Sequence, residues 1–209
     1  MRIRPNRRPR PEFFGSLLLH LFSVRRASVI FWVTTWLAAV ALEARAQSST
    51  SKEYQIKAAF LFNFVQFVEW PAAAFPDANA PIAIGILGDD PFGTVLDQTV
   101  HGETIRNRKL VIQRSRRVQD LKDCHLVFIS TSEKGRLAEI LASLQTATAL
   151  TVSETESFAR HGGVINLYLE GNKVRFEINP GAAQRQGLRI SSQLLKLGKV
   201  IGTDAAGDR

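Results

Sequence analysis

Cysteine is the scarcest chemistry-bearing residue in this chain of 209: Cys124 stands alone. One cysteine excludes an internal disulfide framework and a cysteine-based zinc site. A domain of about 160 residues buries enough apolar surface to do without either. Histidine is nearly as sparse. His101, His125 and His161 are the three beyond the first fifty residues, and none has a second His or Cys four residues away. No His-Glu-x-x-His pattern exists, so no metal site is expected. Cys124 and His125 adjoin, but neighbours on a strand point to opposite faces and form no nucleophile–base pair. Gly85-x-x-Gly88 lacks the glycine spacing of a dinucleotide fingerprint. Repeats, low-complexity tracts and linkers are absent, which leaves one domain. With no catalytic set and no cofactor motif, an enzyme is the least favoured class.

An excess of charge is also missing where it would matter. Residues 1–46 carry eight Arg and two acidic residues, +6 of the formal +8, while residues 47–209 hold 19 basic and 17 acidic groups. The basicity belongs to the leader, and the remainder gives no reason to expect nucleic acid. No apolar run reaches the ~20 residues of a membrane span. Ala27 to Leu42 follows Arg25-Arg26 and precedes Ala44-Arg45-Ala46. That order describes a secretory signal peptide over residues 1–46, with an exported, soluble domain over residues 47–209. An uncleaved anchor is the competing reading.

What the chain does have is one stretch dense in aromatics. Lys52 to Pro71 holds one Tyr, four Phe and one Trp. Tyr54, Ala58, Leu61, Phe62, Val65 and Val68 form a stripe at helical steps; Ile56, Phe60, Phe64 and Phe67 form a second beside it. A helix apolar over so much of its girth is expected to be covered on two sides. Asn63 and Gln66 fall inside the apolar region and are expected to be hydrogen-bonded there. Pro71 ends the helix.

Three later runs, Pro81 to Gly88, Cys124 to Ile129 and Ala149 to Val152, are short, apolar and bounded by turn signals, as strands buried on both faces are. Helices are expected from Asp89-Asp90-Pro91 through Leu96, and after two capping boxes, Ser130 with Glu133 and Ser153 with Glu156. Val164–Leu169 and Lys173–Ile178 flank the turn Glu170-Gly171-Asn172 and read as a β-hairpin. Its alternation of Val174, Phe176 and Ile178 with Lys173, Arg175 and Glu177 leaves one face to solvent or a partner. Two short amphipathic helices finish the chain near Val200. The fold class is α/β: a single domain with a mixed, mostly parallel sheet flanked by helices and a C-terminal β-hairpin.

Binding chemistry has two candidate places. Gly88, Asp89, Ser130, Thr131 and Ser153 gather at strand C-terminal ends, where open α/β sheets take ligands; helix capping accounts for the same residues without one. Trp70, with Glu170, Arg175, Phe176 and Glu177 of the hairpin, sets aromatics beside charges as recognition surfaces do. A cleft enclosing Asp89 and Ser130 would favour a small ligand; a flat apolar patch around Phe176 would favour a protein partner. Arg106, Arg108, Lys109, Arg114, Arg116 and Arg117 form the one basic cluster, a solvated surface or an anion site. Taken alone, these residues describe an exported binding module.

Several motifs are similar, in order over residues 52–203, to those of the YfiR family of periplasmic proteins. They are the helix ending Phe60 to Pro71, Ile84 to Gly93, Cys124 to Ser130, Leu150 to Ser153, Gly162 to Leu167 leading to Val174 to Asn179, and Ser191 to Leu195. The resemblance implies a periplasmic negative regulator that binds the periplasmic sensor domain of an inner-membrane diguanylate cyclase and keeps it inactive. Cyclic-di-GMP and biofilm formation then stay low. It also implies an outer-membrane lipoprotein as a second partner and leaves a homodimer open. The two disulfides of some members do not carry over, because Cys124 has no mate. The alternative reading is a periplasmic small-molecule-binding sensor module.

Overall fold

The computed structural model describes residues 51–202; the signal peptide expected over 1–46 and the polar lead-in to the first helix lie outside the described residues. Helix α1 covers residues 51–67. The elements that follow are β1 (Val68–Glu69), β2 (Ile82–Leu87), α2 (Thr94–Val100), β3 (Thr104–Ile105), β4 (Arg108–Ser115) and β5 (Leu126–Ile129). Then come α3 (Leu137–Leu144), β6 (Leu150–Ser153), β7 (Ile165–Glu170), β8 (Lys173–Ile178), α4 (Pro180–Arg185), β9 (Arg189–Ile190), α5 (Ser192–Leu197) and β10 (Lys199–Val200). Eight strands form one sheet in the order β10-β8-β7-β6-β5-β2-β4-β3, and β1 pairs with β9 in a small ribbon. Neighbours from β4 through β7 run parallel; β3 is antiparallel to β4 and β8 to β7, and β10 lies parallel to β8.

The alternation of side chains along each strand builds two cores. Ile82, Ile84 and Ile86 of β2, with Leu126 and Phe128 of β5, face α1; Ala83, Leu87, Val127 and Ile129 face α3. The chain moves from β2 outward to β4, then returns past β2 to β5. Right-handed crossovers in opposite directions put their connections on opposite faces. Leu96 and Val100 of α2 accordingly join the α1 side, and Ile140, Leu141 and Leu144 of α3 the other. Gly85 makes the second face shallow: a Cβ there would lie 3.0 Å from Cys124 Sγ, so the chain before β5 settles directly on β2. Among the described residues no helix lies over the second face beyond β6, and β7 and β8 turn polar side chains that way.

Helix α1 buries Ala58, Leu61, Phe64 and Val65 completely. Phe64 and Phe60 both meet the edge of Phe176, at 5.1 and 5.3 Å. Each such apolar side chain stabilises the fold by about 1.5–3 kcal/mol relative to exposure. The helix is covered mainly from one side, however. Ile56 is 47% exposed, Phe60 and Phe67 are half-buried, and Asn63 and Gln66 are exposed rather than enclosed. The second stripe lies on the helix flank, where the sheet shields it only in part.

Local capping also departs from expectation. Asp90 starts no helix: its Oδ1 accepts the Phe92 N–H at 2.8 Å, and α2 begins at Thr94. Ser130 Oγ accepts the Ser132 N–H ahead of a 3₁₀ stretch, Thr131–Arg136, while Glu133 pairs with Arg136 instead of closing a capping box. Ser153 opens no helix either. It is fully buried, its Oγ donating to the Ile129 carbonyl at 2.7 Å and accepting the Thr155 N–H at 3.1 Å.

Candidate functional site

The reversal of strand order at β2 defines where a ligand would enter a doubly wound sheet: between the C-terminal ends of β2 and β5. Gly88, Asp89, Ser130 and Thr131 do converge there, but neighbouring side chains fill the crevice. A Cβ at Gly88 (φ +89°) would lie 2.5 Å from Ser132 Oγ and 2.8 Å from Glu133 Cγ. The Asp89 N–H donates to Ser132 Oγ at 3.0 Å, and Asp89 Oδ1 meets Arg116 at 2.8 Å. Arg136 links Glu133 to the Arg116 carbonyl, and Arg114 joins Asp90 to Asp97. Ser130 and Ser153 are buried. Thr131 borders the cavity next to this crevice.

That cavity, about 470 Å³, lies one position along, at the C-terminal ends of β6 and β7 beside the start of α1. Its inner wall is a buried ion cluster. Lys57, 3% exposed, pairs with Glu53 one turn earlier and with Glu154 after β6. The Tyr54 hydroxyl donates to Glu154 Oε1 at 3.1 Å, and the Lys57 ammonium stands 4.7 Å from the Tyr54 ring centroid. Burial, with the nearby Glu154 charge, pushes the Tyr54 phenol well above its ordinary value, so it serves as a hydrogen-bond donor. Asn166, also buried, accepts the Phe158 N–H at 2.9 Å. Glu156, Ser157, Arg160 and Tyr168 complete a polar rim. Such a wall offers directed hydrogen bonds and charges of both signs. Glu53 four residues before Lys57 was the one legible trace of it; Glu154 meets Lys57 across 97 residues of sequence.

A second cavity, about 630 Å³, opens at the N-terminal ends of β2 and β5. Cys124 and His125 both border it, and they turn to opposite sides as alternation requires. The Cys124 thiol donates to Gln113 Oε1 at 3.3 Å, and burial, reinforced by Asp123, pushes it up to about 12. His125 is 5% exposed. Its Nδ1 accepts the Ala83 N–H at 3.1 Å, and its ring stacks on Phe75 at 4.4 Å. The Trp70 indole N–H donates to the His125 carbonyl at 3.0 Å.

Trp70 is therefore a core residue that fastens the end of α1 to β5. Phe176 is 5% exposed, covered by Phe60 and Phe64, so no aromatic patch stands open at the hairpin. The hairpin face presents Glu170 and Arg175, 3.5 Å apart, and Glu177, which takes Lys199 at 3.1 Å. The basic cluster is likewise committed. Arg106 donates to the Val68 and Gln66 carbonyls at the end of α1, and Arg108 to those of Asp77 and Ala80. The Arg108 guanidinium also covers the Phe75 ring at 3.9 Å. Arg114, Arg116 and Arg117 each meet a carboxylate.

A doubly wound α/β domain whose switch-point crevice is filled by its own side chains is the class this geometry defines. Residues 54–199 match the YfiR/HmsC-like family, and the chain belongs to that family of periplasmic regulators. No curated protein matches the chain. Among solved structures it is similar to a conserved domain protein from Vibrio cholerae O1 biovar El Tor str. N16961, with 11% identity and a TM-score of 0.45 over 57% of this chain and 54% of that one. It is also similar to the ABC domain in complex with L-Trp from Streptococcus pneumonia, with 11% identity and a TM-score of 0.42 over 57% and 55%. The chain spans about half the length of these two structures. Among the described residues, no helix is long and apolar enough to cross a membrane.

Proposed function

We propose that residues 47–209, exported behind a cleaved leader at 1–46, form a periplasmic negative regulator. It binds the periplasmic sensor domain of an inner-membrane signalling protein, a diguanylate cyclase, and holds it inactive, so that cyclic-di-GMP and biofilm formation stay low. Family membership across 54–199 is the observation that carries this reading. A filled crevice at the switch point agrees with it, because repression by differential binding to one state of a sensor needs no chemistry of its own. Glu170, Arg175 and Glu177 supply polar contacts on the hairpin face; Trp70 and Phe176 support that surface from the core. A lipoprotein of the outer membrane and a second copy of this chain remain further proposed partners.

The test is titration of residues 47–209 with the periplasmic domain of the membrane sensor encoded beside it. Binding at micromolar Kd or tighter, worth about 8 kcal/mol, together with raised cyclic-di-GMP on deletion, is the expected result. No binding to a folded sensor domain would refute it. The cavity beside Lys57 supports a second reading, a small-molecule-binding sensor module. A metabolite at about 100 times its Kd would then stabilise the domain by about 2.7 kcal/mol, and Tyr168→Ala at the rim would abolish that shift.

A further inference from the structure

Strand β10 covers only the last part of β8, with Lys199 opposite Glu177 and Val200 opposite Ile178. The Asn179 N–H reaches Val164 on the β7 side, while the Ile178 carbonyl accepts the Ile201 N–H on the β10 side. Backbone groups along a strand face its two neighbours alternately. The N–H and C=O of Val174 therefore point the same way as those of Ile178, outward from β7. Among the described residues no strand lies beside Val174. The sheet has an open edge there.

Exposed apolar side chains collect around that edge. Five large ones are exposed among the described residues, and three of them lie around it: Ile56 (47%), Leu169 (50%) and Leu197 (69%), whereas Val200 (51%) pairs with Ile178 at the other end of β8. Leu169 is opposite Val174 in the hairpin, Ile56 lies one helical turn before Phe60, and Phe60 meets Phe176. Leu197 ends α5 two residues before β10, and the register of β10 on β8, continued backwards, sets it beside Arg175. Such a concentration marks an interaction site more than scattered surface leucines would. Charge adds a second feature: Glu170 and Glu177 pair with Arg175 and Lys199, which leaves Lys173 on β8 and Lys196 at the end of α5 as a local surplus of cations.

We propose that the edge of β8 at Val174 is a β-augmentation site for an extended, acidic segment of the sensor's periplasmic domain. This rests on the partner-binding reading above and names the element that binding uses. A strand added beside β8 hydrogen-bonds to the Val174 backbone. Side chains alternate across the sheet. On the α1 face the added strand meets Val174, Ile56 and Leu197, which calls for apolar residues. On the open face it meets Lys173 and Arg175, which calls for Asp or Glu. The recognised segment is apolar and acidic in alternation.

The test measures Kd for the neighbouring sensor's periplasmic domain with wild type, Val174→Pro, Leu197→Asp and Lys109→Glu, and amide exchange in the complex. Proline is tolerated at an edge position whose N–H faces outward, so Val174→Pro removes the donor and leaves the hairpin paired. Binding is expected to weaken about tenfold or more in Val174→Pro and Leu197→Asp, and to stay unchanged in Lys109→Glu on the far side of the sheet. The Val174 amide is expected to exchange at least about tenfold more slowly in the complex. Should Val174→Pro fail to fold, Leu197→Asp and the exchange data decide. Wild-type affinity in Leu197→Asp with unchanged Val174 exchange overturns the edge site while leaving the partner reading intact. No binding by wild type overturns both.

Discussion

Lowering the pH from 7.5 to 5 protonates ordinary histidines, and His125 has no room for a second proton. Its Nδ1 already accepts the Ala83 N–H at 3.1 Å, so a proton there would set two donors face to face. Burial lowers its pKa from 6.5; the Ala74 carbonyl works the other way, and Arg108 lowers it further. The lowered value fixes the sign. Above 6.5 both the folded and unfolded chains hold a neutral ring, and stability is fully present. Below 6.5 the unfolded chain takes up the proton and the folded one does not, so stability falls until the folded pKa is reached. An unfolded pKa of 6.5 sets the ceiling at about 2 kcal/mol for pH 5. Urea unfolding of wild type and His125→Asn at pH 7.5 and pH 5 isolates this contribution. The asparagine carbonyl replaces Nδ1 as acceptor for Ala83 and does not titrate. It loses the stack on Phe75 at both pH values, a constant cost of about 1–2 kcal/mol. Wild type should then lose up to about 2 kcal/mol more than the variant on acidification. Equal losses, within about 0.3 kcal/mol, would refute the reasoning.

Three further perturbations follow from the same geometry. Gly88→Ala should destabilise by about 2 kcal/mol in urea unfolding, since a Cβ there meets Ser132 Oγ at 2.5 Å in a left-handed conformation; an unchanged midpoint would mean the crevice is looser than described. Glu154→Gln leaves Lys57 buried with Glu53 alone and should cost about 1–3 kcal/mol, read as a lower melting temperature. Cys124, buried and with its thiol pushed up to about 12, should resist a thiol reagent at pH 8 until urea unfolds the chain.

Periodicity revealed the architecture where each residue's neighbours are set by its own strand or helix. Strands β2 and β5, apolar at every position, are buried on both faces, as is β6 with its Thr151 and Ser153, and the alternating Lys173 to Ile178 is covered on one. The same logic marked α1, but the helix ends at residue 67, four residues before Pro71, because Val68 and Glu69 pair with β9 as a strand. That logic also overreached at Asn63 and Gln66, because an apolar flank on a helix does not specify how far a twisted sheet extends beneath it. Short polar motifs were less legible. Ser153 with Glu156 has the spacing of a capping box, yet the serine bridges β5 and β6, a choice made by a strand 24 residues away. The aromatics of Trp70 and Phe176 suited a surface by composition, but their partners, the His125 carbonyl and the rings of α1, come from distant sequence. The inner wall of the cavity was hidden for the same reason, because Lys57 and Glu154 become neighbours only after β6 is placed.

The division of the sheet into two halves links this packing to recognition. From β2 to β6, α1 and α2 cover one face and α3 with its flanking turns the other, with Leu126, Val127, Phe128 and Ile129 all fully buried. From β7 to β10 no helix among the described residues covers the second face, where the turn at Phe158 buries Asn166 and leaves Tyr168, Arg175 and Glu177 nearer to solvent. Backbone hydrogen bonds near solvent with little apolar cover open at lower free energy than those of a two-sided core. The hairpin is thus the part of the sheet that can adjust to a partner without disturbing the other half. Its tip combines that freedom with an open edge at Val174 and exposed Leu169 and Leu197, whereas the switch-point crevice, where many folds of this kind bind ligands, is sealed by Ser132, Glu133 and Arg136. Selection for recognition on this scaffold would act on the charges and apolar residues around β8, while changes at Gly88 or Phe64 would be felt first as lost stability.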